Sequence, residues 1–376
     1  MNDNITIKIR EIGSSLINKY NNEGTVENGI NGPYDDPETD VRNMAHLIVI
    51  ASIEYLKYKQ IECKEIVEKL ASQLLSRKSK EGIYKMRQKS GKDECNGVIG
   101  HAWLIEGYLY AYKVTGNPVY LSESESICKK HKFDKSLSLW CRPLSNSIDF
   151  TFNHQLWYAA TLAELLQYVD SDELKQQLNN YKKNLPKNLN INRVGRIAHT
   201  IYRRSSFKDS LLKKISKYRD AINELFGLPG LKYRETGYHM FNLMAFARLY
   251  MLSPNEPFFK SKVFLKALSF VCQENYSLEL LNSNTKDDRT LPSKLLTLEE
   301  KSINIYGYPY NVPGFEIMFC SKVFNGLIPK SLAHNILSTQ MIETLDENTG
   351  LLGKKCHDKI TINYRIYEYY RYLELL

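Results

Sequence analysis

Apolar residues recur at helical spacing along almost the whole chain. Between Val41 and Tyr58, Met44, Leu47, Ile48, Ala51 and Tyr55 fall on one face of a 3.6-residue period. The same spacing predicts helices over 5–20, 64–77, 98–115, 119–130, 152–169, 171–184 and 193–218. It predicts further helices over 240–252, 260–275, 316–324, 332–343 and 360–375. Alternation with period two is nearly missing; 302–310 comes nearest and predicts a short strand or an extended loop. About a dozen helices without a linker between them predict one all-α unit over 1–376, opened by an N-terminal helix and loop at 1–30.

The connections are of two kinds. Some are short, and others are longer and rich in Gly, Pro, Asn and Tyr, at 28–36, 90–97, 144–151, 228–237 and 303–314. Helical hairpins stacked in sequence either stay open as a solenoid or close into a ring. A closed ring gathers its longer loops at one end, and the polar and aromatic residues concentrated there fit that arrangement. No regular repeat of the solenoid kind is visible. The expectation is an (α/α)6-type toroid with a cleft at one end.

Composition narrows the ligand. The 26 Tyr supply flat apolar faces with a hydroxyl at the rim, as a sugar cleft requires, although an A/T-rich genome would also enrich Tyr. A net charge of +9 favours anionic ligands. No basic run exceeds the length of Lys129-Lys130-His131-Lys132, so nucleic acid is not the expected partner. Seven scattered Cys with no CxxC pair suit a reducing compartment. No signal-peptide pattern and no long apolar segment appears, which predicts a cytoplasmic protein without a membrane span.

Five segments concentrate groups able to do chemistry. Asp149-Phe150-Thr151-Phe152-Asn153-His154-Gln155-Leu156-Trp157 puts three consecutive polar side chains at the start of an apolar helix, where free N–H groups favour an anion. A capped helix with a core His is the plain alternative. Glu235-Thr236-Gly237-Tyr238-His239-Met240-Phe241-Asn242 is a second loop-to-helix junction. Tyr306-Gly307-Tyr308-Pro309-Tyr310 leads through Pro313 and Gly314 to Glu316 and could wall a glycan subsite or cover a core. Asp36, one of four carboxylates between Asp35 and Asp40, could be a general acid or base, or a helix-capping charge with Arg42 pairing one of the four. At Gly97–Glu106, Trp103 is a candidate stacking platform and Glu106 a candidate polar contact. No Walker-type loop, GxGxxG or HExxH is present. Trp140-Cys141 and Cys356-His357 are similar to zinc-ligand pairs of lanthionine cyclases, but they lie far apart and lack Gly-rich surroundings. Neither a metal nor another cofactor is therefore expected.

The Asp36–Asn43 run, the Gly-x-x-Gly-x-Ala-Trp junction at Gly97–Trp103, Tyr112–Tyr120, Phe152–Trp157, Tyr238–Asn242 and Tyr308–Glu316 resemble bacterial α/α-toroid proteins of surface-polysaccharide gene clusters. That resemblance spans residues 30 to 325 or so. The order Asn153-His154-x-x-Trp157 also resembles the Asn-His-x-x-Trp element of toroid polysaccharide lyases. By that resemblance Asn153 neutralises a uronate carboxylate, His154 removes the C5 proton and a Tyr, for which Tyr238 is the choice, protonates the leaving oxygen. The same trio could reprotonate C5 from the other face and act as an epimerase. Gln155, Trp157, His239, Tyr306, Tyr308, Tyr310, Trp103, Glu106 and Arg42 would then line the binding site of an acidic oligo- or polysaccharide. A glycoside hydrolase would need two carboxylates across the cleft instead, for which Asp36 or Asp149 with Glu316 are the candidates. A glycan-binding toroid without chemistry is the third possibility.

Overall fold

The computed structural model describes residues 2–204, 231–282 and 295–376, with Leu211, Leu212, Ile215, Tyr218 and Ile222 as isolated further positions. Its helices are α1 (Asn2–Glu23), α2 (Val41–Tyr58), α3 (Glu62–Ser76), α4 (Ile99–Thr115), α5 (Val119–Lys129), α6 (Phe152–Leu165) and α7 (Asp172–Asn188). They continue as α8 (Lys232–Gly237), α9 (His239–Leu252), α10 (Lys262–Phe270), α11 (Glu274–Leu281), α12 (Pro313–Val323), α13 (Lys330–Thr344), α14 (Thr361–Tyr364) and α15 (Tyr367–Glu374). Only one small hairpin is present among the described residues, β1 (Phe133–Asp134) with β2 (Leu139–Trp140).

Contacts between helices close into a ring. Helix α2 packs on α4, α4 on α6, α6 on α9, α9 on α12, α12 on α15, and α15 returns to α2. These six inner helices are buried nearly all round; in α6, 12 of its 14 residues are buried, including Leu156, Trp157 and Leu162. A helix apolar on every face belongs inside a protein. The outer helices show one apolar face: α3 buries Cys63, Ile66, Val67, Leu70, Ala71 and Leu74 and exposes residues between them. Stacked hairpins with an inner and an outer layer make the α/α toroid that the loop pattern predicts.

All six inner helices run in the same sense. Arg42, Trp103, Asn153 and Phe241, near the starts of α2, α4, α6 and α9, line one cavity together with Asn311 and Arg365, which precede α12 and α15. Tyr110, Glu164, Arg248 and Arg371, towards the opposite helix ends, line another. Positive helix ends therefore converge on one mouth of the ring.

Ions fill part of the axis. Arg371 of α15 pairs with Glu106 of α4 and, at 2.9 Å, with Glu164 of α6. Arg248 of α9 lies 2.7 Å from Glu164 and 3.4 Å from Glu106. Burial alone would raise the Glu164 carboxyl, but Arg248 and Arg371 hold it below the usual carboxylate range.

The sequence reading needs three corrections here. Residues 193–204 are not helical: Asn192 Oδ1 accepts hydrogen bonds from the backbone N–H of Val194, Gly195 and Arg196, and Gly195 sits at φ +107°. That local turn overrides the helical spacing of Val194, Ile197 and Ile201; positions 205–218 lie mostly outside the described residues. Residues 302–310 form no strand: an extended Ile303 follows the short turn over Glu300–Ser302, and the segment ends in a π-type turn over Gly307–Asn311. The hairpin at Phe133–Trp140 was not anticipated.

Substituting Arg371→Met should leave Glu106 and Glu164 sharing Arg248 alone. Removing one partner from a buried ion network costs about 3–5 kcal/mol. Urea denaturation followed by circular dichroism should show a loss of that order; a loss below about 1 kcal/mol would mean that ring closure does not depend on this network.

Candidate functional site

Four of the longer loops, together with α8 in the segment read as the fifth, line the same mouth of the ring. They bring Asn31, Tyr34 and Asp36; Lys92, Asp93, Asn96 and Gly97; Thr151; Arg234; and Tyr310 and Asn311. The cavity between them encloses about 220 Å³, below the ~300–1,000 Å³ typical of drug-sized ligand pockets. A single six-membered ring with its substituents suits that volume.

The centre of the cleft is the start of α6. His154 Nδ1 stands 2.7 Å from Asp149 Oδ2. Asp149 is fully buried, and its second oxygen accepts the backbone N–H of Thr151. The backbone N–H of Val98 also binds Oδ2. Burial alone would raise the Asp149 carboxyl, but His154, Arg142 and the Thr151 N–H hold it well below the carboxylate range. An ionised Asp149 fixes the proton on Nδ1 and leaves the lone pair on Nε2. Gly97, at φ +66°, is pressed against this pair, and a methyl group there would overlap both Asp149 Oδ2 and His154 Nδ1. Asn153, one residue before His154, is 3% exposed, and its Oδ1 has no protein partner. A buried orphan acceptor in a cleft is a place for a ligand hydroxyl or amide.

Tyrosines make another wall. The hydroxyl of Tyr238 is 3.2 Å from that of Tyr34 and donates to Tyr310 at 3.4 Å; Tyr310 donates to Asn31 Oδ1 at 2.6 Å. Burial and the neighbouring Tyr310 and Tyr34 push the Tyr238 pKa well above 10. Tyr238 stays a neutral hydroxyl in a chain of hydroxyls. Gly32, at φ +41°, makes room for the Tyr310 ring.

Cations dominate the charge. Arg42, Arg87, Lys92, Arg142, Arg234 and Arg365 line the cleft against Asp36 and Asp93. Arg42 stacks 4.2 Å over Trp103 and pairs with Glu38 at 3.1 Å. Asp36 lies 3.1 Å from Arg87.

Of the residues singled out in the sequence, the cleft brings together Asn153, His154, Tyr238, Asp36, Arg42, Trp103 and Tyr310. The others lie elsewhere. Asp149 stands behind His154. Gln155 is buried and spans the Trp140 backbone and the Asp149 carbonyl, so it positions the Asp149 loop and does not meet a ligand. Trp157, a turn below Asn153, is fully buried and stacks at 4.0 Å on Phe241. His239 is a core residue: Nδ1 accepts from the Ile197 N–H, Nε2 donates to the Ala267 carbonyl, and burial takes its pKa down to about 3. Tyr306 and Tyr308 are buried, Tyr306 packing behind Tyr34 and Tyr238. Glu106 belongs to the ion network at the far end. Glu316, buried beneath the cleft, pairs with Arg365 at 3.2 Å, and Arg365 also pairs with Glu368 at 2.6 Å. It is unavailable as a carboxylate facing the cleft.

The sequence reading missed His199, Arg87, Lys92, Arg142, Arg234 and Arg365, all of which line the cleft. His199 fell inside a misassigned helix; its carbonyl accepts the Phe152 N–H at 2.9 Å and so anchors the start of α6. Its ring packs 4.8 Å from Tyr238.

No family model matches the chain. It is 28% identical over 374 residues to archaeal glycosylation protein Q of Haloferax volcanii, a match covering 95% of this chain and 94% of that protein. Among solved structures it superimposes on cellobiose 2-epimerase from Bacillus thermoamylovorans at a TM-score of 0.60, with 10% identity and 99% of each chain covered. It superimposes on D-mannose isomerase at 0.61, with 12% identity, 100% of this chain and 98% of that one. An unsaturated glucuronyl hydrolase specific for heparin gives 0.60, 11%, 100% and 97%. These likenesses show the α/α-toroid fold.

Arg365 faces two buried carboxylates, and one cation does not neutralise both. Burial and Glu368 push Glu316 well above its ordinary value, and burial takes Glu368 up to about 7 against the pull of Arg365. A carboxyl raised in the folded state stabilises the fold fully below its unfolded pKa of about 4.3. That contribution is lost as pH rises through the folded value. The thermal midpoint should therefore fall as pH rises from about 4.3 through about 7, the folded value of Glu368, and Glu316→Gln should flatten the decline. An equal slope in the variant would remove the triad as its cause.

Proposed function

We propose that the protein is a carbohydrate-active enzyme that moves a proton at the carbon next to the carboxylate of an acidic sugar unit. The observation that carries this reading is the Asp149–His154 pair at 2.7 Å, at the edge of a cation-lined cleft. In the proposed reaction His154 Nε2 takes the C5 proton, and the C–H electrons move into the carboxylate as an enolate. Asn153 and the nearby cations Arg42 and Arg365 stabilise that charge. The Tyr238 hydroxyl, kept protonated by burial, gives a proton to the other face and is reprotonated from water through Tyr34 or Tyr310, while His154 Nε2 releases the abstracted proton to water. The carbon is inverted, as in an epimerase.

Elimination from the same enolate would make the protein a lyase. Two findings favour epimerisation. The cavity suits a single ring, and the similar protein of Haloferax volcanii is named for glycosylation, a building process. Superposition on a 2-epimerase and an isomerase is consistent with proton transfer at a sugar carbon. A hydrolase needs two carboxylates flanking the scissile bond; Asp36 and Asp93 both stand beside arginines, and Glu316 is buried under Arg365, which weighs against it.

Incubation of glucuronate-containing substrates in heavy water, read by NMR, should show deuterium at C5 without an ultraviolet-absorbing unsaturated product. His154→Ala should slow exchange by about 10²–10⁴-fold, the usual contribution of a general base. Full exchange in that variant would overturn the assignment.

A further inference from the structure

The cations of the cleft lie in two tiers. Arg42 and Arg365, 2% and 3% exposed, form the floor beside their own carboxylates. Arg87, Lys92 and Arg142 stand on the loops at the mouth, where Lys92 is exposed and the Arg142 side chain is 37% exposed. Their acidic neighbours satisfy them only in part. Arg142 lies 3.8 Å from Asp93 and 3.7 Å from Asp149, and its Nε makes no hydrogen bond. Arg87 pairs with Asp36, which itself lies in the cleft. A sugar ring filling about 220 Å³ engages the floor. Anything joined to that ring must leave past the mouth, between two arginines and a lysine. Arg and Lys with donors to spare are the side chains that hold phosphate oxygens.

We propose that the substrate is a glycosyl phosphate or diphosphate, with the acidic sugar in the cavity and the phosphate on Arg87, Lys92 and Arg142. This rests on the proton-transfer reading above and narrows it from saccharides in general to sugars activated at C1. A class of reaction that attaches sugars to phosphate carriers must then supply the substrate, and a glycosyl transfer must consume the product. The carrier is either a nucleoside or a polyprenyl group; both present the same diphosphate to the mouth.

The test compares free glucuronate, glucuronate 1-phosphate, a uridine diphosphate glucuronate and a short-chain polyprenyl diphosphate glucuronate in the heavy-water exchange assay. The phosphorylated sugars should show a KM at least about tenfold below that of the free sugar, as expected for charge-assisted bonds, and this advantage should shrink at high salt. Lys92→Ala should raise that KM about tenfold and leave kcat within about twofold. The better of the two diphosphate substrates identifies the carrier. Equal KM values for free and phosphorylated sugar would overturn this inference and leave the proton-transfer reading standing. If no sugar exchanges, calorimetry with glucuronate 1-phosphate decides separately: binding that weakens tenfold in Lys92→Ala supports the phosphate site although the reaction is wrong, and no binding overturns it.

Discussion

The structure depends on how the axis of a helical ring is filled. Six inner helices buried on nearly every side leave a central column that hydrocarbon alone does not occupy. Here ions occupy it, and each end of the column recruits the last inner helix or the turn before it. Arg371 reaches across to Glu106 and Glu164, which belong to α4 and α6, while Arg365 gathers Glu316 and Glu368. Desolvating so many charges is costly unless each finds its counterion. Arg371 and Arg248 meet Glu106 and Glu164 from helices far apart in sequence, so these pairs form only when the ring is closed in the correct register. The floor of the cleft is the upper end of that same column.

Much of the architecture was legible because amphipathic spacing is a local property. Val41–Tyr58 and the start of α6 are readable from their own residues, and the Gly, Pro and Tyr clusters marked the loops that meet at the mouth. Residues 193–204 were not legible, because a single side chain, Asn192, captures three backbone N–H groups and forbids the helix that the apolar spacing suggests. At the site, the junction residues Asn153, His154 and Tyr238 stood out through their position. Trp157, His239 and Glu316 shared the same signal and proved to be buried supports. Sequence spacing places a side chain on a helix, but only packing decides whether that face meets the cavity or the core. The arginines were missed for a related reason: Arg is common on surfaces, and nothing local distinguishes Arg142 from a solvated one.

A toroid hosts many reactions, and the loops and helix starts at one end determine which one. In this chain His154, the base of the proposed reaction, is positioned by several layers of contact. Gln155 ties the Asp149 carbonyl to the Trp140 backbone, Asp149 orients His154, and Gly97 supplies the space in which the pair meets. None of these supports touches the cavity as a recognisable catalytic type. They illustrate why a polar residue beside a reacting group is as often part of its mounting as part of its chemistry.

The closed ring has one consequence of another kind. An open stack of helical hairpins has two ends, and its terminal units can fray, be added or be deleted with only one interface at stake. In this ring every hairpin has neighbours on both sides, because α15 also packs on α2. No unit can leave without breaking two interfaces and the ion column together, so cooperativity is built into the topology. Change is tolerated in one direction only, outward along the loops at the mouth, and there the same scaffold can be fitted to a different ligand without altering the number of its parts.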